Sequence, residues 1–290
     1  MKILVTGGTG TVGSVVVREL LARGVDVSVL TRDAKKPLQA GVTAVEGNLL
    51  EVATVRRVFD GVDAVLLLVA VSETESAQAL MALTAMRNAG VERVVYISVQ
   101  QADEAPWLPH FGSKVGIEAG LEKAGIPWTI LRPNSFYQND HRYKNVLLQH
   151  GVYPQPLGSV GVSRVDVRDI AEAAAIALTQ PGQEGQRYDL VGPAVWTGES
   201  TARVWSEALG RPVAYAGDDL VAWEKQMRQF MPDWMVFDLV GMYAFFQQQG
   251  FKASEEAVER QTSLIGHAPR AFEAFATETA RAWQDAPRAG

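Results

Sequence analysis

Lys2-Ile3-Leu4-Val5-Thr6-Gly7-Gly8-Thr9-Gly10-Thr11-Val12-Gly13 passes from a β-branched apolar run into glycines spaced three apart, and Val15, Val16, Leu20 and Leu21 follow at helical spacing. Strand, glycine turn and helix in this order make a phosphate cradle. The turn must be tight, the backbone must approach a pyrophosphate with no Cβ in the way, and the helix must pack close to its strand. The helix N-terminus then offers free N–H groups and a partial positive charge. The spacing predicts a dinucleotide site built by Gly7, Thr9, Gly10, Thr11, Val12 and Gly13.

A second strand is expected over residues 25–31, with Arg32 in the first position beyond it and Lys35 and Lys36 close behind. An acidic side chain there would hold a ribose 2′-hydroxyl, whereas a guanidinium accepts a 2′-phosphate. Arg32 therefore predicts NADP(H) in preference to NAD(H), and Asp33 is the competing feature, either as a partner for Arg32 or as a ribose ligand. After a third strand at 42–46, Gly47-Asn48 offers an amide for an adenine edge or simply a turn asparagine. Val69, Ala70 and Val71 end a fourth strand expected over 64–71, where the carboxyl ends of strands face the ligand.

Further strands are expected at 93–99 and 128–131, and a returning strand at 187–191. Helical stretches separate them, the pattern of βαβ units on a parallel sheet. Near-continuous Val, Ile and Leu fits strands covered on both faces, hence an α/β doubly wound sheet. Ser72-Glu73-Thr74-Glu75 has the form of a capping box, Gly90 and Gly125 close two of the helices, and an Ala-rich helix runs over 169–179. Composition shifts toward aromatics, Gln and helix at 134–161 and after Gly192. The expected division is a nucleotide-binding domain of 1–133 and 162–192, and a smaller, mostly helical lobe of 134–161 and 193–290. In that lobe Trp223, Met227, Phe230, Trp234, Phe237 and Phe245 recur at mostly helical spacing, as a core stripe or as a lid or partner surface.

The chain has 290 residues, a net charge of −6, 47% apolar and 21% charged residues. It carries no block of Lys and Arg, so nucleic acid and membrane surfaces are not expected partners. Without cysteine there are no disulfides, thiolate metal sites or dithiol redox chemistry, and redox work needs a bound cofactor. His110, His141, His150 and His267 lack metal-ligand spacing, so no metal is expected. Asp166 and Asp169 sit where carboxylates complement a helix start. The run from Met1 into the first strand has no signal-peptide form, which makes the cytoplasm the expected location.

Past the fifth strand come Ser98, then His110-Phe111-Gly112-Ser113-Lys114. With the glycine turn, Arg32, residues 125–139 (Gly-Ile-Pro-Trp-Thr-Ile-Leu-Arg-Pro-Asn-Ser-Phe-Tyr-Gln-Asn) and 165–171 (Val-Asp-Val-Arg-Asp-Ile-Ala), this segment resembles the NmrA-like branch of the atypical short-chain dehydrogenases/reductases. The resemblance extends loosely over almost the whole chain. It implies a Rossmann sheet, a nicotinamide cofactor and a smaller lobe. It implies either reduction of a quinone or dye, or a cofactor sensor that catalyses nothing and binds a protein partner. The wider superfamily pairs a Tyr with a Lys four residues later; here Lys114 matches the lysine and His110 stands in the tyrosine position. Lys114 is thereby expected at the nicotinamide ribose, and His110 is a candidate proton donor. The resemblance also places Asn134, Phe136 and Asn139 at the nicotinamide and substrate end, with Phe136 offering a flat surface to a ring. A quinone tolerates the missing phenol, because hydride addition gives a stabilised hydroquinone anion that collects its proton from water. The expected protein is an NADPH-dependent reductase of a planar apolar aromatic acceptor, monomeric or homodimeric.

Overall fold

The computed structural model describes residues 1–35 and 37–285, which leaves Lys36 outside the described residues. Its chain order begins β1 (Lys2–Val5), α1 (Gly13–Ala22), β2 (Asp26–Thr31), β3 (Val42–Glu46), α2 (Val52–Val55), β4 (Ala64–Leu67), α3 (Glu75–Ala89) and β5 (Arg93–Ile97). It continues with α4 (Pro109–Lys123), β6 (Trp128–Pro133), β7 (Val152–Tyr153), α5 (Val167–Thr179), β8 (Gln186–Leu190), α6 (Gly198–Leu209) and β9 (Ala214–Tyr215). The last helices are α7 (Leu220–Met227), α8 (Asp233–Gln249), α9 (Glu255–Ile265) and α10 (Phe272–Asp285).

Seven strands form one sheet in the order β3-β2-β1-β4-β5-β6-β8, every pair parallel. The order reverses direction at β1, whose neighbours are β2 and β4, and there the carboxyl ends of the strands open a crevice for a ligand. Both faces are covered, which makes the sheet doubly wound as its apolar strands predict. Leu4, Val65, Leu67, Val94 and Ile130 meet Val55, Ala82, Leu83, Met86, Ile117 and Leu121 of α2, α3 and α4. On the other face α1 packs beside α5, whose Ala173, Ala174 and Ala177 are fully buried because small side chains allow close approach. Each large aliphatic side chain so buried contributes about 1.5–3 kcal/mol. The exception is β3, an edge strand that is largely exposed.

The chain divides into two compact units. The first comprises Met1–Pro133, Val167–Leu190 and Ser263–Gly266; the second comprises Asn134–Asp166, Val191–Thr262 and the chain from His267 onward. The second unit is mostly helical, with the short parallel pair β7 and β9. Its core is aromatic and polar together. Trp205 stacks on Trp283 at 5.1 Å, and Arg164 lies 4.9 Å over the Phe272 ring. Arg164 and Asp140, both fully buried, form an ion pair at 2.7 Å. Asp140 also accepts from Trp205 Nε1 at 2.9 Å, and burial holds the neighbouring Tyr153 phenol well above its ordinary range.

The aromatic stripe of the second unit splits. Trp223, Met227 and Phe245 are buried, whereas Phe230 is 73% and Phe237 67% exposed. The periodicity is interrupted between α7 and α8, where Pro232 precedes α8, and Phe230 leaves the buried face in that turn. No helix among the described residues is long and apolar enough to cross a membrane.

Candidate functional site

The turn between β1 and α1 is closed by its own backbone. Gly10 N–H donates to Gly7 O at 3.0 Å and Ser14 N–H to Gly10 O at 3.0 Å. Gly7 has φ +66°, and a Cβ on Gly13 would collide with the Gly7 carbonyl oxygen. Thr9, Gly10 and Thr11 are exposed, Val12 and Gly13 buried. No side chain caps the N-terminus of α1 and no acidic residue stands in its first turn; Ser14 and Val15 N–H are already taken by Gly10 O and Val12 O, so what this end chiefly offers an anion is its positive dipole.

Beside the turn, Thr6 ends the ladder between β1 and β4. Its hydroxyl donates toward Leu66 O and Leu68 O and accepts from Leu68 N–H at 2.8 Å. A side chain here does the work of backbone rungs, so β4 stops at Leu67 rather than at Val71. Past that point Val69 is buried and Ala70 and Val71 are exposed.

Arg32 stands exposed one residue past β2, and no described residue pairs with its guanidinium. Asp33 does not take it: the Asp33 carboxylate accepts from Lys35 N–H at 3.0 Å, and its backbone is tied to the Thr31 hydroxyl. One Asp33 oxygen thus shapes the loop, and the other stays available to a ribose hydroxyl. Asn48 likewise folds its own turn, with Oδ1 accepting from Leu50 N–H at 3.0 Å.

On the far side of the switch point, α4 carries Phe111, Lys114, Ile117, Glu118 and Leu121 on its buried face. His110 is half-buried one turn before Lys114, edge-on to Phe111 at 4.6 Å. Lys114 Nζ donates to Ile97 O at 3.2 Å and lies 2.6 Å from Glu75 Oε1, with the Tyr96 ring centroid 5.3 Å below. Ile97 is the last residue of β5, so the ammonium is fixed at the carboxyl end of that strand. Burial, aided by the carboxylates of Glu75 and Glu118, pushes the Tyr96 phenol well above its ordinary range and keeps it neutral.

Ser98 donates to Glu118 of α4, which also holds Arg132 through contacts of 2.7 and 3.0 Å. Asn134, Phe136 and Asn139 lie in the second unit. The Asn134 amide bridges Phe251 O at 2.7 Å and Ser135 N–H at 2.7 Å. Phe136 and Asn139 are half-buried, and the Asn139 amide reaches Ser135 Oγ at 3.5 Å.

Glu75 escapes the sequence reading. The expected capping box does not form: Thr74 makes no cap bond to the helix backbone, and Glu75 turns inward to Lys114. A signal was available, because Glu75 falls on the same helical stripe as Ala79, Ala82, Leu83 and Met86, and an acid on an apolar stripe requires a buried partner.

A parallel sheet in this order, with a glycine turn at the switch point and an uncapped helix behind it, defines the class of Rossmann-fold nucleotide-binding proteins. Within that class the chain belongs to the NmrA-like family, whose profile matches residues 1–276. It is 32% identical to the NAD(P)H azoreductase of Xenophilus azovorans over 97% of this chain and 99% of that protein. It is 33% identical to the (4-alkanoyl-5-oxo-2,5-dihydrofuran-3-yl)methyl phosphate reductase of Streptomyces griseus subsp. griseus, again over 97% and 99%. Among solved structures it resembles the NADPH complex of the Escherichia coli NADPH-dependent quinone oxidoreductase 2. The TM-score is 0.85 at 24% identity, over 96% of this chain and 99% of that one, a likeness of fold.

Proposed function

We propose that this protein is an NADPH-dependent reductase that transfers hydride to a planar apolar acceptor of the quinone or azo kind. The observation that carries the reading is Lys114, a buried ammonium fixed to the carboxyl end of β5 across the switch point from an open phosphate turn. The donor set fits the cofactor. The turn of Gly7 to Gly13 and the first turn of α1 would hold the pyrophosphate, Arg32 the 2′-phosphate, and Lys114 the nicotinamide ribose. When bound, the cofactor supplies a hydride. The chain's own part is to orient the ring and to set the charge around it.

His110 stands where the wider superfamily has the phenol that protonates alcohols. An acceptor whose reduced form carries a delocalised anion needs no strong acid beside it, which favours quinones and azo compounds. The full-length relatedness to an azoreductase and a second reductase supports this class.

The test follows nicotinamide absorbance with excess NADPH and a panel of benzoquinones, naphthoquinones and azo dyes, beside NADH controls. Saturable turnover with NADPH preferred is the expected result. Absence of decay with bound NADPH would favour the second reading, a cofactor sensor, for which exposed Phe230 and Phe237 would form the partner surface. Arg32→Ala is expected to weaken NADPH binding by at least about tenfold, the worth of a charge-assisted hydrogen bond to phosphate, and to leave NADH unchanged. Fluorescence titration of both nucleotides checks it, and equal losses for the two would remove Arg32 from the 2′-phosphate site.

A further inference from the structure

Glu75 is 1% exposed at the first turn of α3, and its counter-charge is Lys114 at 2.6 Å. The contact is electrostatic rather than a well-aligned hydrogen bond, and neither carboxylate oxygen receives a hydrogen bond among the described residues. That is an unusual way to bury an acid. Carboxylates kept for architecture accept two or three hydrogen bonds, as Asp140 does from Arg164 and Trp205. What Glu75 contributes here is charge.

The other groups facing the pair add none. Tyr96 is held neutral, and Glu118, the next carboxylate, is matched by Arg132 at 2.7 Å. The pair therefore presents a net charge of zero at the carboxyl end of β5, while Lys114, which donates a hydrogen bond to Ile97 O, keeps further N–H donors.

We infer that Glu75 is a positioning residue that sets which redox form of the nicotinamide cofactor this site prefers, by cancelling the Lys114 charge beside the ring. The inference rests on the placement of Lys114 at the nicotinamide ribose proposed above. When NADPH gives up a hydride, two electrons and a proton pass to the acceptor and the ring is left with one positive charge. A bare ammonium beside that ring would penalise NADP+ relative to NADPH and oppose hydride donation. With Glu75 in place the ammonium still donates its hydrogen bond, and its field is cancelled. Lys114 thus orients the ring at no electrostatic cost to the oxidised form.

The experiment measures dissociation constants of NADPH, by its fluorescence, and of NADP+, by calorimetry, for wild type, Glu75→Gln and Glu75→Gln/Lys114→Met. Glutamine keeps the shape and removes the charge, and the double variant avoids leaving a buried carboxylate alone. Glu75→Gln is expected to raise the ratio Kd(NADP+)/Kd(NADPH) by about tenfold, the scale of one unit charge in a partly buried site. The double variant is expected to return that ratio to within about twofold of wild type, because the two charges of the pair leave together and the net charge beside the ring is again zero. A role confined to folding would weaken both forms by one factor and leave the ratio unmoved, and that result overturns the inference. So does a double variant displaced as far as the single one. If wild type binds neither nucleotide, the placement of the cofactor itself is wrong, an outcome distinct from a ratio that stays constant in a protein that binds both.

Discussion

Gly13→Ala is expected to lose measurable NADPH binding, a fall of about a hundredfold or more, together with about 1–3 kcal/mol of stability. The added methyl has nowhere to go, because the obstacle is the backbone carbonyl of Gly7 and not the end of a flexible side chain. The turn can admit it only by lifting α1 away from β1, which misdirects the N–H groups of the first helical turn. Val15, Val16 and Leu20 of α1 are buried on the sheet and resist that movement. Fluorescence titration with NADPH and a denaturant melt check the two effects. Binding within threefold of wild type would show that the turn does not hold the pyrophosphate.

Asp140→Ala is expected to cost about 3–5 kcal/mol, since it leaves the fully buried Arg164 guanidinium without its counter-charge. Against a total stability of about 5–15 kcal/mol this is a large share. Trp205 Nε1 loses its acceptor in the same step, and Tyr153 one of its partners. The matched double variant Asp140→Leu/Arg164→Met is expected to recover most of the loss, because both charges leave together. Urea unfolding decides between them; a double variant no more stable than Asp140→Ala would mean that shape, not charge, holds this core.

The glycine spacing and the alternation of apolar runs with helices gave the parallel sheet correctly, because both report strictly local requirements of turn geometry and two-sided burial. Strand ends were less legible. The ladder at β4 stops where the Thr6 hydroxyl replaces backbone partners, an event between residues sixty positions apart in sequence. The placement of Arg32 just past β2 was readable because it needs only a strand end. The role of Glu75 was hidden by its fit to a local capping pattern, and tertiary burial overrode that pattern. Nothing local in the sequence announced the partners of Ser98 and Asn134, whose polar atoms meet Glu118 and, for Asn134, Phe251 and Ser135. Phe230 left the aromatic stripe because a period of 3.6 persists only as long as the helix does, and Phe237 is exposed inside the unbroken α8.

The pairing of β6 with β8 joins Thr129 to Gln186 and Leu131 to Tyr188, so the seventh strand arrives only after the whole of 134–166 has been made. During synthesis at about 5–20 residues per second, β6 stands as an unprotected edge for several seconds. Trp128, Thr129 and Ile130 are the residues then open to pairing with another nascent chain. The first unit is thus completed only after part of the second has been synthesised, and until then its growing edge is the place where a shielding contact would suppress mispairing.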